Sequence, residues 1–154
     1  MSAFEELYSA LGSDVLAISV PLFELGEEQL VKFGGIEPRG AGLDASGRLG
    51  MITERSHRAT DTSADVRERV YESLPQIAAM ESIVAVAAVE WVRISVGRHI
   101  DQPSIKVAIH HRRGLAVTLY EPATWHAGEG WEFGDVIARA GEPLIATWPV
   151  VSSR

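Results

Sequence analysis

The chain contains no cysteine. That one absence excludes disulfide staples, thiolate zinc sites, iron–sulfur clusters and a cysteine nucleophile together. Lysine is nearly missing too: Lys32 and Lys106 are the only two among fourteen basic residues. With many alanines and glycines, this points to a GC-rich bacterial coding sequence. The longest apolar run, IVAVAAVEWV at 83–92, is interrupted by Glu90 and is too short to span a bilayer. The opening MSAFEELYSALGSD carries acids where a secretion signal needs bases followed by an apolar stretch. Repeats, low-complexity tracts and dividing linkers are also missing. These absences predict a cytoplasmic protein, without membrane association, folded as one domain over residues 1–154.

What is present suits that expectation. A chain of 154 residues, 46% hydrophobic and 23% charged, can bury one real core. At this length folding hides about two-thirds of the unfolded surface, so neither a metal nor a cofactor is required. The net charge of −7 opposes binding to nucleic acid through the whole surface. The charge is uneven, however. Residues 91–113 hold five bases and one acid, while every flanking segment is acidic.

Ser2 can cap a first helix bearing Phe4, Leu7, Tyr8 and Leu11 at helical spacing, with Gly12 at its end. VLAISVPLF is apolar and β-branched, and reads as a strand that bends or ends at Pro21. Residues 24–35 fit a helix closed by Gly34 or Gly35, or a strand, with helix favoured. DASG reads as a hairpin turn. The polar stretch 55–62 is expected to be exposed. Thr62 or Ser63 then caps a helix carrying Val66, Val70, Leu74 and Ile77, which Pro75 should kink or break. Residues 83–90 are ambiguous, whereas VRISVG alternates as a strand. HIDQP reads as a connection, and SIKVAIHH with LAVTLYEP as a hairpin. The tail suggests a short helix at 135–139 and a last strand near 144–148. The sum is an α+β fold: a mostly antiparallel twisted sheet with two or three helices packed mainly on one face.

Three clusters invite a functional reading. At the hairpin tip, strand alternation sends His111 to the face of Ile105, Val107 and Ile109, and His110 to that of Lys106 and Ala108. Two histidines on opposite faces are badly placed to chelate one ion. Arg112, Arg113, Lys106 and His110 remain as a possible patch for an anion or acidic partner, or as a solvated tip. In RHID, Asp101 could orient His99 as a general base, although loops gather such residues for solubility alone. Trp125 and Trp131 fall in a glycine-containing loop, as core cover or as a partner or ligand surface. The common catalytic, phosphate-loop and metal motifs are all missing.

The order of elements from EEQLVKFGGIEPRGAGLDASGRLGMIT through VRISVG and the hairpin resembles roadblock- and profilin-like domains. That resemblance implies a dimeric scaffold. The first helix, the strand expected after it and the residues after Tyr120 have no counterpart in the pattern.

Two functions fit the sequence. One is a non-catalytic interaction or regulatory module (scaffold, chaperone or immunity-type inhibitor) that binds a protein partner or forms a homodimer. The other is a small-molecule-binding protein or enzyme with a pocket beside Trp125 and Trp131. Its acid–base groups would be His99, Asp101 and His110.

Overall fold

Ser2 opens the first helix as expected. Its hydroxyl accepts from the Glu5 amide, and the Glu5 carboxylate accepts from the Ser2 amide, both at 3.1 Å. This helix, α1 (Ala3–Ala10), is followed at once by α2 (Gly12–Phe33). Gly12 therefore begins a second helix, and the chain bends by 70° at the junction. The computed structural model describes residues 1–52 and 62–154, so the polar stretch 55–62 lies outside the described residues except for Thr62.

α2 overturns the strand expected in VLAISVPLF. Its buried residues Val15, Ile18, Leu22 and Leu30 recur at helical spacing. Full burial of each large apolar side chain stabilises by about 1.5–3 kcal/mol. That outweighs the weak preference of β-branched residues for strands and the hydrogen bond removed by Pro21, which lies on the exposed side. The helix carries residues 24–33 with it and closes at Gly34, whose φ of +74° suits the left-handed cap. Gly26 marks its closest approach to the sheet. A Cβ there would stand 2.9 Å from Ile105 Cγ2.

The strands are β1 (Arg39–Asp44), β2 (Leu49–Met51), β3 (Ile83–Val96), β4 (His99–His111), β5 (Ala116–His126), β6 (Gly130–Phe133) and β7 (Ile137–Ala140). All pairings are antiparallel, in the order β2-β1-β3-β4-β5-β6. β7 also pairs with β5. DASG makes the β1–β2 turn, with Asp44 Oδ1 accepting from the Ser46 and Arg48 amides and Gly47 at φ +87°. The ambiguous residues 83–90 are strand. HIDQP is also strand, because Gly97 and Arg98 alone turn the chain between Val96 and His99. Asp101 sits at a bulge there with φ +46°. The helix expected at 135–139 is instead the approach to edge strand β7 and its first three residues. β6 pairs with Ala123–His126 and β7 with Val117–Tyr120, so the returning chain lines one side of β5 in two pieces.

α1 and α2 cover the sheet face of Leu43, Ala87, Val107, Ile109 and Leu119. α3 (Ser63–Ala78) covers part of the other, through Val66, Val70 and Leu74 against Val86 and Ala88. The α+β class thus stands: two of the three helices among the described residues pack on one face, and α3 covers part of the other. α3 starts with Thr62 and Asp65 bonded reciprocally at 3.1 and 2.9 Å. Of the kink or break expected at Pro75, the break does not occur: the helix continues through it and ends at Ala78. No single helix among the described residues is long and apolar enough to cross a membrane.

Candidate functional site

The β4–β5 turn is built as the sequence suggests. Arg112 and Arg113 occupy the turn, Gly114 takes φ +106°, and the His111 amide donates to the Leu115 carbonyl at 2.7 Å. The two histidines point to opposite faces, and each is spent on the fold. His110 is fully buried. Its Nε2 lies 3.0 Å from the Pro149 carbonyl, and its Nδ1 accepts from the Leu144 and Ile145 amides at 3.1 Å each. Two amide donors at Nδ1 fix the tautomer protonated at Nε2. Burial pushes the imidazole pKa below its ordinary value, against the opposing pull of the Pro149 carbonyl. This residue is a clasp for the C-terminal segment. The same bonds explain why 144–148 is not the expected strand: the amides a neighbouring strand would use go to an imidazole.

His111 faces α2, where its Nε2 stands 2.8 Å from Asp14 Oδ2 while Nδ1 accepts from the Arg113 amide at 3.1 Å. Arg112 reaches across to the end of α3. Its guanidinium donates to the carbonyls of Ala78 at 2.8 Å and Ile83 at 2.7 and 2.9 Å, and lies over the Trp148 ring. It supplies donors that the last helical turn lacks. The basic patch expected from Arg112, Arg113, Lys106 and His110 therefore does not assemble. Arg113 remains exposed beside Glu6, and Lys106 sits further along β4 in another cluster. Arg112→Met is expected to lower stability by roughly 1–3 kcal/mol, because buried carbonyls lose a charged donor. Urea denaturation measures it, and an unchanged midpoint would contradict this assignment.

His99 and Asp101 lie at the far end of β4 from His110. Eleven strand residues at ~3.3 Å each separate the two histidines by about 36 Å. Asp101 is engaged by Arg93, at 3.1 Å to its carbonyl and 3.4 Å to its carboxylate, while its amide donates to Ser95 Oγ. The three expected acid–base groups thus do not converge. Among the described residues, no group of three His, Asp or Glu side chains is arranged to hold a metal ion.

Trp125 and Trp131 stand on paired strands rather than in the expected loop. They are direct partners across β5 and β6, and the turn between them places Gly128 and Gly130 at φ +84° and +89°. Their rings meet edge-on at 5.5 Å, and Trp131 meets Trp91 at 5.8 Å. Trp91 and Trp131 pack onto the core, but Trp125 is left 60% exposed. The ladder presents one large indole on a rigid support.

The chain matches no protein-family model, no curated protein and no solved structure.

The roadblock- and profilin-like pattern therefore rests on element order alone.

Lys106 belongs to a polar cleft on the α3 face that the sequence reading missed. It lies opposite Glu90 on one side and Tyr120 on the other. Glu90 is buried and accepts from Arg67 Nε and, at 2.6 Å, from the Tyr71 hydroxyl; Lys106 Nζ is 3.7 Å away. Burial, and then the bond to Glu90, hold the Tyr71 phenol well above its ordinary pKa. The cleft has a volume of about 420 Å³. The Glu90 carboxylate does not line the cleft but lies buried behind Arg67, Tyr71 and Lys106, which do; those donors occupy it and make it a poor base for a substrate. Two signals were available: the i, i+4 spacing of Arg67 and Tyr71, and the register that sets Glu90 against Lys106. The first is legible in the sequence, but the second, which brings Glu90 to this pair, is not visible until strand pairing is known.

Proposed function

We propose that this protein is a non-catalytic protein-binding module of the bacterial cytoplasm, with a contact surface centred on Trp125 and Trp131. The observation that carries the reading is the 60% exposure of Trp125 at the end of a three-tryptophan ladder. A rigid, exposed indole supplies large contact area at little entropic cost, and tryptophan is enriched among residues that dominate binding energy. The candidate acid–base groups offer a weaker alternative, since His110 is consumed by structural bonds and lies at the opposite end of β4 from His99 and Asp101.

Charge favours a basic partner over a second copy. The chain carries −7, and residues 114–154, which hold both tryptophans, carry five acids and two bases. Two such surfaces repel each other, whereas a basic surface is steered towards them. A scaffold, a chaperone or an inhibitor of a basic protein would each act by covering such a surface. The test is quantitative capture from a bacterial lysate by the wild type and by Trp125→Ala, each in low and high salt. We expect basic proteins to be retained by the wild type and lost, by tenfold or more, with Trp125→Ala or at high salt. Equal capture by both chains, or a wild-type dimer in sedimentation that Trp125→Ala dissociates, would overturn the reading.

A further inference from the structure

On the α2 face, a groove of about 460 Å³ runs between α2 and the β5–β7 edge. Its walls are apolar: Leu16, Val20 and Phe23 from α2, Leu119 from β5, and Val136 on the approach to β7. Three of these are left open, with Leu16 60%, Val20 48% and Val136 46% exposed. Every charged residue lining the groove is acidic. Glu24 and Glu27 come from α2 and Glu121 from β5, while α1 adds the Tyr8 phenol; among the described residues no Lys, Arg or His lines it.

Glu121 is the unusual member. It is 8% exposed; its Oε1 is buried without a hydrogen-bond partner among the described residues, and the neighbour within hydrogen-bonding reach of its carboxyl is Glu27, a second acid rather than a cation. An unpaired carboxylate oxygen in apolar surroundings is costly and calls for a donor. An anionic ligand would be repelled by all three carboxylates. A neutral alcohol could satisfy the oxygen but would leave the negative charge uncompensated. A cationic nitrogen answers both needs, and the walls demand that an apolar body accompany it.

We infer that this groove binds an apolar amine, its ammonium donating to Glu121 and Glu27 and its hydrocarbon lying along Leu16, Val20 and Val136. Binding exchanges protons. Burial, and then the neighbouring Glu27, raise the Glu121 carboxyl to about 8, so the free pair holds a proton near neutrality. The arriving ammonium displaces that proton, and affinity should rise with pH until Glu121 ionises unaided. Glu24 from α2 and the Tyr8 phenol from α1 also face the groove.

The probes are n-octylamine, n-octanol and octanoate, which share one tail and differ in head charge. Titrations of the full chain would be followed by calorimetry and by amide shifts of Val20, Glu121 and Val136. We expect octylamine to bind at least tenfold more tightly than octanol and octanoate not at all, with proton release between pH 6 and 8. Glu121→Gln and, at the rim, Glu27→Gln should each weaken octylamine at least fivefold and leave octanol unchanged. Thermal unfolding confirms that each variant is folded. Trp125→Ala should bind octylamine as the wild type does, so this site and the partner surface stand or fall separately. Equal affinity for octylamine and octanol, wild-type affinity in both glutamate variants, or no shifts at these three amides would overturn the inference.

Discussion

Replacing His110 with leucine is expected to destabilise the protein by roughly 3–5 kcal/mol. Leucine fills similar space, so the loss is chiefly of hydrogen bonds. The Leu144 and Ile145 amides and the Pro149 carbonyl all lose their partner at once. Each buried polar group left unpaired costs about 1–3 kcal/mol, reduced where the segment can move out to water. That movement is the second expected result: amides at 144–151 should exchange hydrogen with solvent by local opening, well before the strands do. Urea denaturation and hydrogen exchange read the two effects. A destabilisation below 1 kcal/mol with unchanged exchange would show that the clasp is dispensable.

The second large effect is a change of stability with pH, and Glu121→Gln should remove it. Below the unfolded carboxyl pKa of 4.5, Glu121 is protonated in both states and adds no penalty. As pH rises from there to about 8, the unfolded chain releases a proton that the folded chain keeps. The unfolded state then binds fewer protons, so stability falls with rising pH across that window and levels off above it. Because the proton is shared with Glu27, the loss at pH 8 should be on the order of 2–4 kcal/mol. Glutamine has no proton to lose. The variant should match the wild type near pH 4 and exceed it by that amount at pH 8. Parallel stability curves from pH 4 to 9 would contradict the assignment.

Local signals in the sequence proved sufficient wherever a short stretch decides its own conformation. The Ser2 and Thr62 caps, the DASG turn and the Arg112–Gly114 turn belong to this class. So does the separation of His110 from His111, which follows from strand geometry alone. α2 was misread because its stripe emerges only over 15–30, whereas Pro21 invites a window that ends too early. HIDQP and residues 135–139 were misread for a different reason: strand pairing recruited them, overriding their loop-like or helical composition. The α2 groove was beyond reach. Glu27 and Glu121 are ordinary acids until the fold sets α2 across β5, and no periodicity joins residues so far apart.

Asp14 and His111 are 97 positions apart, yet their side chains meet at 2.8 Å. During synthesis at roughly 5–20 residues per second, α2 would wait about 5–20 s for this partner to be made. β1 and β3 offer its apolar stripe only part of a sheet to cover until β4 and β5 exist. Closure of so long a loop also slows the final search. The nascent chain thus carries a half-covered amphipathic helix until β4 and β5 have been made, and their pairing ends that exposure.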